Sequence, residues 1–500
     1  MSGERGREGE VLRARRARLE RLRAKGIEPF AHDFSPPGGI ASTEEIRRAY
    51  PEPAPDRRFG DRRTVAGRIV LDRDMGRLRF LVVRDRGGDL QLVVEPAHVS
   101  PATAGVLPEL ELGDLVGATG EVGTTKRGEL SIFVEELVLL SKALRPLPEK
   151  WHGLRDPDLQ QRRRYLHLIA DPGARRIATA RAAVLRAIRR ELDARGFLEV
   201  ETPVLQPTPG GALARPFVTH HRALDVDLYL RIALELYLKR LLVGGLERVY
   251  EIGRIFRNEG IDRQHNPEFT MLELYQAYGD YTTMMELVQE LIRAAALEVR
   301  GTLRFPYQGR ELDLAGPWPR VALLDEVSRA VGEEVRLERT DLHDLAERHG
   351  VGTHPAWGPG KVVLELFEKL VEPELWGPVF VMDFPREVSP LARPHRRQPG
   401  LVEHVDLIVA GLELMPAYSE LSDPDEQRRS FELQQEQKRA WGDEEAHPLD
   451  EDFLLALEHG MPPAGGLGLG IDRLTMILAD VPSIRDVILF PHLRPEAETS

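Results

Sequence analysis

From about Asp156 onward, apolar runs of strand length follow one another without the strict strand–helix alternation that a parallel sheet requires. Strands are expected at Arg248 to Phe256, Phe269 to Tyr278, Val379 to Phe384 and Glu403 to Leu414. Helices are expected at Ala174 to Arg195, Tyr281 to Val299 and Leu364 to Val371. This order predicts an α+β domain built on an antiparallel sheet flanked by helices.

The front of the chain follows a different pattern. Short β-rich runs occupy Val65 to Leu71, Leu78 to Arg84, Leu90 to Val94, Leu115 to Val122 and Leu130 to Leu139, with Gly87-Gly88 placed for a hairpin turn. Five short strands and a helix-like insertion suit an OB-fold β-barrel, a frequent reader of single-stranded nucleic acid. Another small β-barrel fits the periodicity equally well. Ahead of it, Arg13, Arg15, Arg16, Arg18, Arg21, Arg23 and Lys25 alternate with Leu12, Leu19 and Leu22 up to Gly26. That is a basic amphipathic helix, which either packs on the next domain or touches an RNA backbone. The organisation expected is a helix and loop over 1–60, the barrel over 61–142, a proline-stiffened linker over 143–160, and the α+β domain over 161–500.

Bulk properties narrow the chemistry. A net charge of −13 argues against adhesion to nucleic acid over the whole surface, though not against a local basic footprint. Zero cysteines exclude disulfides, thiolate catalysis and cysteine-ligated zinc. No apolar run is long enough to span a bilayer, and the arginine-rich N-terminus lacks an apolar signal core, so a cytoplasmic location is expected.

Two separated segments carry the chemistry. Arg257-Asn258-Glu259 precedes His265-Asn266-Pro267-Glu268-Phe269, and Gly465-Gly466-Leu467-Gly468-Leu469-Gly470 precedes Ile471-Asp472-Arg473. An arginine and a carboxylate two residues apart on one strand would share a sheet face. An arginine fork binds oxyanions bidentately and stacks on rings, so Arg257, Phe269 and Arg473 together could hold a nucleoside triphosphate. The lysine loop of P-loop enzymes and the dinucleotide glycine fingerprint are both missing. No Ser/His/Asp arrangement stands out in the spacing.

These segments resemble motifs 2 and 3 of the class II aminoacyl-tRNA synthetases, and Arg195 to Pro203 resembles motif 1, which in that family builds the dimer interface. Longer strings narrow the resemblance to the class II lysyl-tRNA synthetases. These are Pro209 to Phe217, Glu235 to Leu241, Phe256 to Phe269, Glu387 to Arg393 and Ser419-Glu420-Leu421, with Lys126 to Ser131 and Ala143 to His152 in the front half. The resemblance implies activation of L-lysine by ATP to lysyl-adenylate, followed by transfer to the 3' end of tRNA(Lys), by a homodimer. It implies that Arg257, Glu259 and Arg473 are catalytic, and that His265, Asn266 and Phe269 join them in binding ATP. Lysine would be bound by Gly211, Glu235, Tyr275, Tyr418 and Glu420, and Mg²⁺ by Asp406 and Glu413. Arg68, Phe80, Gln91 and Glu129 would meet the anticodon.

The chain departs from that family at two places. Asp406 stands where glutamate is usual, and Met415-Pro416-Ala417-Tyr418 replaces a common Gly-Asn-Gly-Phe. The proline removes a side-chain donor beside the expected lysine pocket, as in an actinobacterial-like variant. Two other readings remain at this stage: a paralogue that lysylates a different acceptor, and a non-catalytic RNA-binding paralogue.

Overall fold

The computed structural model describes residues 2–147, 154, 156–212, 214–441 and 449–495. The linker expected at 143–160 thus lies partly outside the described residues. The chain divides into two compact units, Met1–Leu154 and Arg155–Ser500.

In the first unit, strands β1 (Arg58–Asp74), β2 (Arg79–Asp85), β3 (Gly88–Val94), β4 (Leu115–Thr124) and β5 (Leu130–Ser141) close into a barrel in the order β1-β2-β3-β5-β4. Its interior is filled by alternate residues such as Val65, Leu81, Val83, Leu90, Leu92 and Ile132. Helix α1 (Ser2–Ala24) and helix α2 (Thr43–Ala49) precede the barrel, and α3 (Pro101–Val106) is the expected insertion, capped by the Ser100 hydroxyl.

The α1 stripe is resolved residue by residue. Leu19 and Leu22 are buried, and Arg15 donates to the carbonyls of Leu112, Ala143 and Arg145. Arg21 and Lys25 pair with Glu109 and Arg18 with Glu111, so much of the basic charge is already used within the unit. Arg13, Arg16 and Arg23 remain exposed.

The second unit opens with helices α4 (Pro157–Arg162), α5 (Arg164–Ala170) and α6 (Pro172–Ala194). An eight-stranded sheet follows, in the order β14-β15-β16-β17-β18-β11-β10-β6. Its strands are β6 (Leu198–Glu199), β10 (Arg248–Phe256), β11 (Glu268–Ala277), β14 (Arg320–Ala322), β15 (Val379–Pro385), β16 (Leu401–Val409), β17 (Leu412–Ser419) and β18 (Ala464–Gly470). Only the two outer pairs, β6 with β10 and β14 with β15, are parallel; the rest is antiparallel, as expected. Strands β7 (Leu205–Gln206), β8 (Val218–His221) and β9 (Val226–Leu230) make a small separate sheet, and β12 (Arg304–Tyr307) with β13 (Arg310–Asp313) a hairpin.

Strand alternation decides which face does what. Leu272 and Leu274 of β11 enter the main core with Met284, Val288 and Leu291 of helix α8 (Tyr281–Arg300). Glu273 and Tyr275 therefore face away from that core. Helix α8 is fixed at its start by Asp280, whose carboxylate accepts from the Thr282 and Thr283 amides, and it ends at Gly301 with φ of 70°. Helix α7 (Glu235–Val243) belongs to a second cluster on the opposite side of the sheet, with Val249 and Tyr275.

Two sequence expectations are corrected here. The run from Glu403 to Leu414 is not one strand but the β16–β17 hairpin. It turns at Ala410 and Gly411, whose φ angles of 54° and 68° carry the chain back on itself. Strand β10 ends at Phe256, so Arg257 and Glu259 lie in the following loop and are not strand neighbours on a shared face.

Candidate functional site

The loop after β10 is nevertheless held firmly. The Arg257 amide donates to the Pro267 carbonyl at 2.8 Å, and the Asn258 amide to that of Arg215 at 2.8 Å. The loop, β11, β17, β18 and helix α14 (Ile471–Ala479) wall a cleft of about 230 Å³, lined among others by Arg257, Glu259, His265, Asn266, Phe269, Glu413 and Arg473. Every ATP-site residue expected from the sequence thus reaches one cleft.

Their states differ. The Arg257 guanidinium lies 5.2 Å from the centroid of the Phe269 ring, and its buried Nε has no hydrogen-bond partner. Burial holds this arginine below its ordinary range. A buried N–H without a partner is costly, and an anion in the cleft would relieve it. Arg473 Nη1 donates to the Glu413 carbonyl at 2.6 Å, and Nη2 lies 3.4 Å from His265 Nε2. His265 is steadied by Asp262 at 2.8 Å. Asn266 braces its own loop by donating to the Glu268 carbonyl, leaving Oδ1 unpaired.

Asp472, which sequence reasoning did not single out, ties the first turn of α14 to β11 and α6. It accepts from the Thr270 amide at 2.7 Å and from Arg181 at 2.9 Å, which fixes Arg473 beside β11. Pro416 lines this same cleft, so the departure from the family pattern also borders the nucleotide side.

On the same side of β11 lies a cluster of buried acidic side chains. Glu235, Tyr275 and Glu420 are each at most 5% exposed, and Glu273 is 4% exposed. Two glycines make the close approach possible. A Cβ on Gly466 would sit 2.2 Å from Glu420 Oε1 and 2.4 Å from Tyr275 Cε1. Gly211, at φ of 86°, could not carry a Cβ without meeting Ala233 at 2.9 Å and Glu235 at 3.1 Å.

Glu273 accepts from the Leu234 amide at 3.0 Å and from the Tyr275 hydroxyl at 3.3 Å. Burial pushes Glu273 up to about 7 and also raises Glu420, the latter against the pull of Lys239, with the field of Glu235 adding to both. Burial also raises the Tyr275 and Tyr418 hydroxyls, so both remain protonated donors. Glu273 feels Arg257 as well as Glu235, which makes the cluster and the cleft electrostatic neighbours. Neither Glu273 nor the buried Lys239, whose Nζ lies 2.5 Å from Glu235 Oε1, was picked out from the sequence. The alternation around Tyr275 would have identified Glu273; an i,i+4 Glu–Lys pair looks like an ordinary helix surface.

Asp406 and Glu413 lie on the β16–β17 hairpin. Burial and then the nearby Asp406 raise Glu413, while Arg473 and Arg257 oppose the shift. Glu372 joins them electrostatically, pushed up to about 7 by burial and by both carboxylates. Hard oxygen donors that repel one another in a half-buried site suit Mg²⁺, which takes one or two carboxylates plus phosphate oxygens and water. Among the described residues, no three such side chains converge into a complete cage.

Asp406 is held by a chain that the sequence spacing concealed. Ser389 Oγ lies 2.8 Å from His404 Nδ1, and His404 Nε2 lies 2.8 Å from Asp406 Oδ1. This order looks like a hydrolase triad, but Ser389 is 4% exposed and does not line the nucleotide cleft. Its geometry orients a carboxylate.

In the barrel, register places three of the four expected base-contact residues, Arg68, Phe80 and Gln91, on the outward face, and Glu129 lies in the turn just before β5. Arg68 pairs across from Arg84, Phe80 from Val93 and Val82 from Gln91, while Leu81 and Val83 point inward. Gln91 in turn bonds Ser131 at 2.9 Å, two residues from the exposed Glu129. Phe80 is half-buried and outside the barrel core. Arg68 donates to the Gly113 carbonyl at 2.7 Å, which commits part of its fork. Phe133, opposite Val93 on β5 and covered by Arg58, is a second aromatic on this face that was not anticipated.

Residues 156–494 match the family described as tRNA synthetases class II (D, K and N), and residues 64–140 match the one described as OB-fold nucleic acid binding domain. Over 493 residues the chain is 51% identical to a lysine–tRNA ligase of Moorella thermoacetica, covering 98% of this chain and 99% of that protein. A lysine–tRNA ligase of Thermosynechococcus vestitus is 48% identical over 501 residues, covering 98% of both. One from Carboxydothermus hydrogenoformans is 46% identical over 488 residues, covering 97% and 98%.

Proposed function

The chain belongs to the class II tRNA synthetases, and from that premise we propose that it activates L-lysine with ATP and passes the lysyl group from lysyl-adenylate to the 3' end of tRNA(Lys). One observation carries the reading: a buried cluster of carboxylates lies beside a cleft whose arginine has an unpaired buried nitrogen.

The chemistry then follows from charge. The α-carboxylate of lysine attacks the α-phosphorus of ATP, and pyrophosphate leaves. A ribose hydroxyl of the tRNA next attacks the activated carbonyl, and AMP leaves. No protein nucleophile is needed, so rate comes from positioning and charge neutralisation. Arg257 neutralises the α-phosphate, Phe269 offers its ring to adenine, and Arg473 holds the nucleotide from α14. Glu259, His265 and Asn266 shape the loop around it. The substrate's ε-ammonium is held by Glu235 and Glu420, with Tyr275 donating, Tyr418 walling the pocket and Gly211 leaving room. Mg²⁺ at Asp406 and Glu413 would neutralise phosphate charge when bound.

Exposed apolar residues support a homodimer. Leu198 on β6, Leu205, Val218 and Val226 on the small β7–β9 sheet, and Val204 just before it are between 40% and 59% exposed. Apolar groupings of this kind mark interfaces, and β6 is the unpaired edge of the large sheet. No described helix is long and apolar enough to cross a membrane. With tRNA as acceptor, the reading places the protein in the cytoplasm.

Three outcomes are expected. Charging assays with labelled lysine should load tRNA(Lys) at its 3' end. Formation of adenylate with no transfer to tRNA would move the reading to another acceptor. Lysine affinity should rise from pH 6 to pH 8.5, because buried Glu273 must lose its proton before its charge joins those of Glu235 and Glu420 around an ammonium. Lys239 and Glu235 on α7, Tyr275 on β11, Tyr418 on β17 and Arg257 also face this group, and the ATP KM should not share the trend. A pH-independent lysine KM would contradict it. Phe80→Ala should cost tRNA charging about 1–3 kcal/mol while leaving pyrophosphate exchange unchanged, since an aromatic on the barrel's outer face, half-buried as Phe80 is, can stack an unpaired base. Equal loss in both steps would make Phe80 a structural residue.

A further inference from the structure

Lys239 is wholly buried, yet it lies among the carboxylates that the functional reading reserves for the substrate. Its Nζ is 2.5 Å from Glu235 Oε1, one turn earlier on α7, and it also contacts Glu420 Oε2, just beyond β17. Side-chain exposure is 0% for Lys239 and Glu420 and 7% for Glu235. A buried ammonium is tolerated only when paired, and this one has two partners from two different elements. Burial works against the charge, but the two carboxylates outweigh it and hold Lys239 above the ordinary lysine range.

We propose that Lys239 is a positioning residue for substrate selection: its resident ammonium ties the helix carboxylate Glu235 to the sheet carboxylate Glu420, so that an incoming ε-ammonium meets two acceptors already fixed in place. This rests on the lysine-activating reading above. Without the tie, two like charges at close range repel, share a proton and lose their common geometry. The loss falls on the ammonium of the substrate and not on its aliphatic chain. A ligand with the same chain and no ammonium, norleucine, makes no use of the arrangement.

The test compares wild type, Lys239→Met and Lys239→Arg by calorimetric binding of lysine and of norleucine, and by the lysine and ATP KM in pyrophosphate exchange. Methionine keeps the length and removes the charge; arginine keeps the charge. For Lys239→Met, lysine binding should weaken by roughly tenfold or more, because a charged hydrogen-bonded contact is lost from its set position. Norleucine binding and the ATP KM should stay within about twofold on the same argument, and Lys239→Arg should recover part of the preference for lysine.

Unchanged or tighter lysine binding in Lys239→Met would overturn the proposal; the tighter case would make Lys239 a competitor of the substrate. A parallel rise of both KM values in both variants would make it a packing residue and would also overturn it. Wild-type protein that binds no lysine would defeat the functional reading itself, and the proposal with it.

Discussion

Arg257→Ala is expected to lower lysine-dependent pyrophosphate exchange by roughly 10²–10³-fold, the usual cost of deleting one preorganised donor to a developing oxyanion. The reason is local. Arg257 is held by backbone bonds to Pro267, stacked over Phe269 and left with an unpaired Nε, so its fork is aimed before any nucleotide arrives. The fall should appear in kcat more than in the lysine KM, because charge builds at the α-phosphate during the reaction. Arg257→Lys should recover little, since a point charge cannot reproduce the bidentate fork or the stack. A variant with normal kcat and only a raised ATP KM would reduce Arg257 to a ground-state contact.

The second large effect is expected at Glu420. Glu420→Gln keeps the shape and removes the charge, and it should raise the lysine KM by an amount corresponding to roughly 2–5 kcal/mol, the range for breaking a buried charge pair. The ATP KM should hardly move. Glu420 comes from the end of β17, makes no cleft contact, and is 1% exposed. Comparable damage to both KM values would place it in the scaffold.

Much of this was legible in the sequence, for physical reasons that can be named. The antiparallel sheet followed from strands that succeed one another without crossover helices, and the barrel from short runs broken by turn residues. The identities of the ATP-site residues came from their resemblance to known motifs, and their convergence on one cleft needed the fold. Where the reading failed, local signals were ambiguous. Ala410 gives no hint that it takes a positive φ, so the hairpin was read as one strand. Arg257 and Glu259 continue an apolar strand in sequence, yet the pairing stops at Phe256 and a loop bond to Arg215 takes over.

Tertiary partners explain the remaining gaps. Lys239 looks like a surface residue of α7 until Glu420 arrives from the far end of the chain. The Ser389–His404–Asp406 chain joins β16 to a segment beyond β15, and no spacing rule would have paired them. On α1, the periodic leucines announced the buried stripe, but the use of Arg15 and Arg21 on carbonyls and on Glu109 depended on where the barrel placed those groups.

The most direct measurement is ATP–pyrophosphate exchange by the purified protein with each of the twenty amino acids in turn, in the presence of Mg²⁺. A site built on buried Glu235, Glu273 and Glu420 predicts strong exchange with lysine, weak exchange with arginine, and none above background with neutral or acidic amino acids. Strong exchange with a neutral or acidic amino acid and none with lysine would contradict the account.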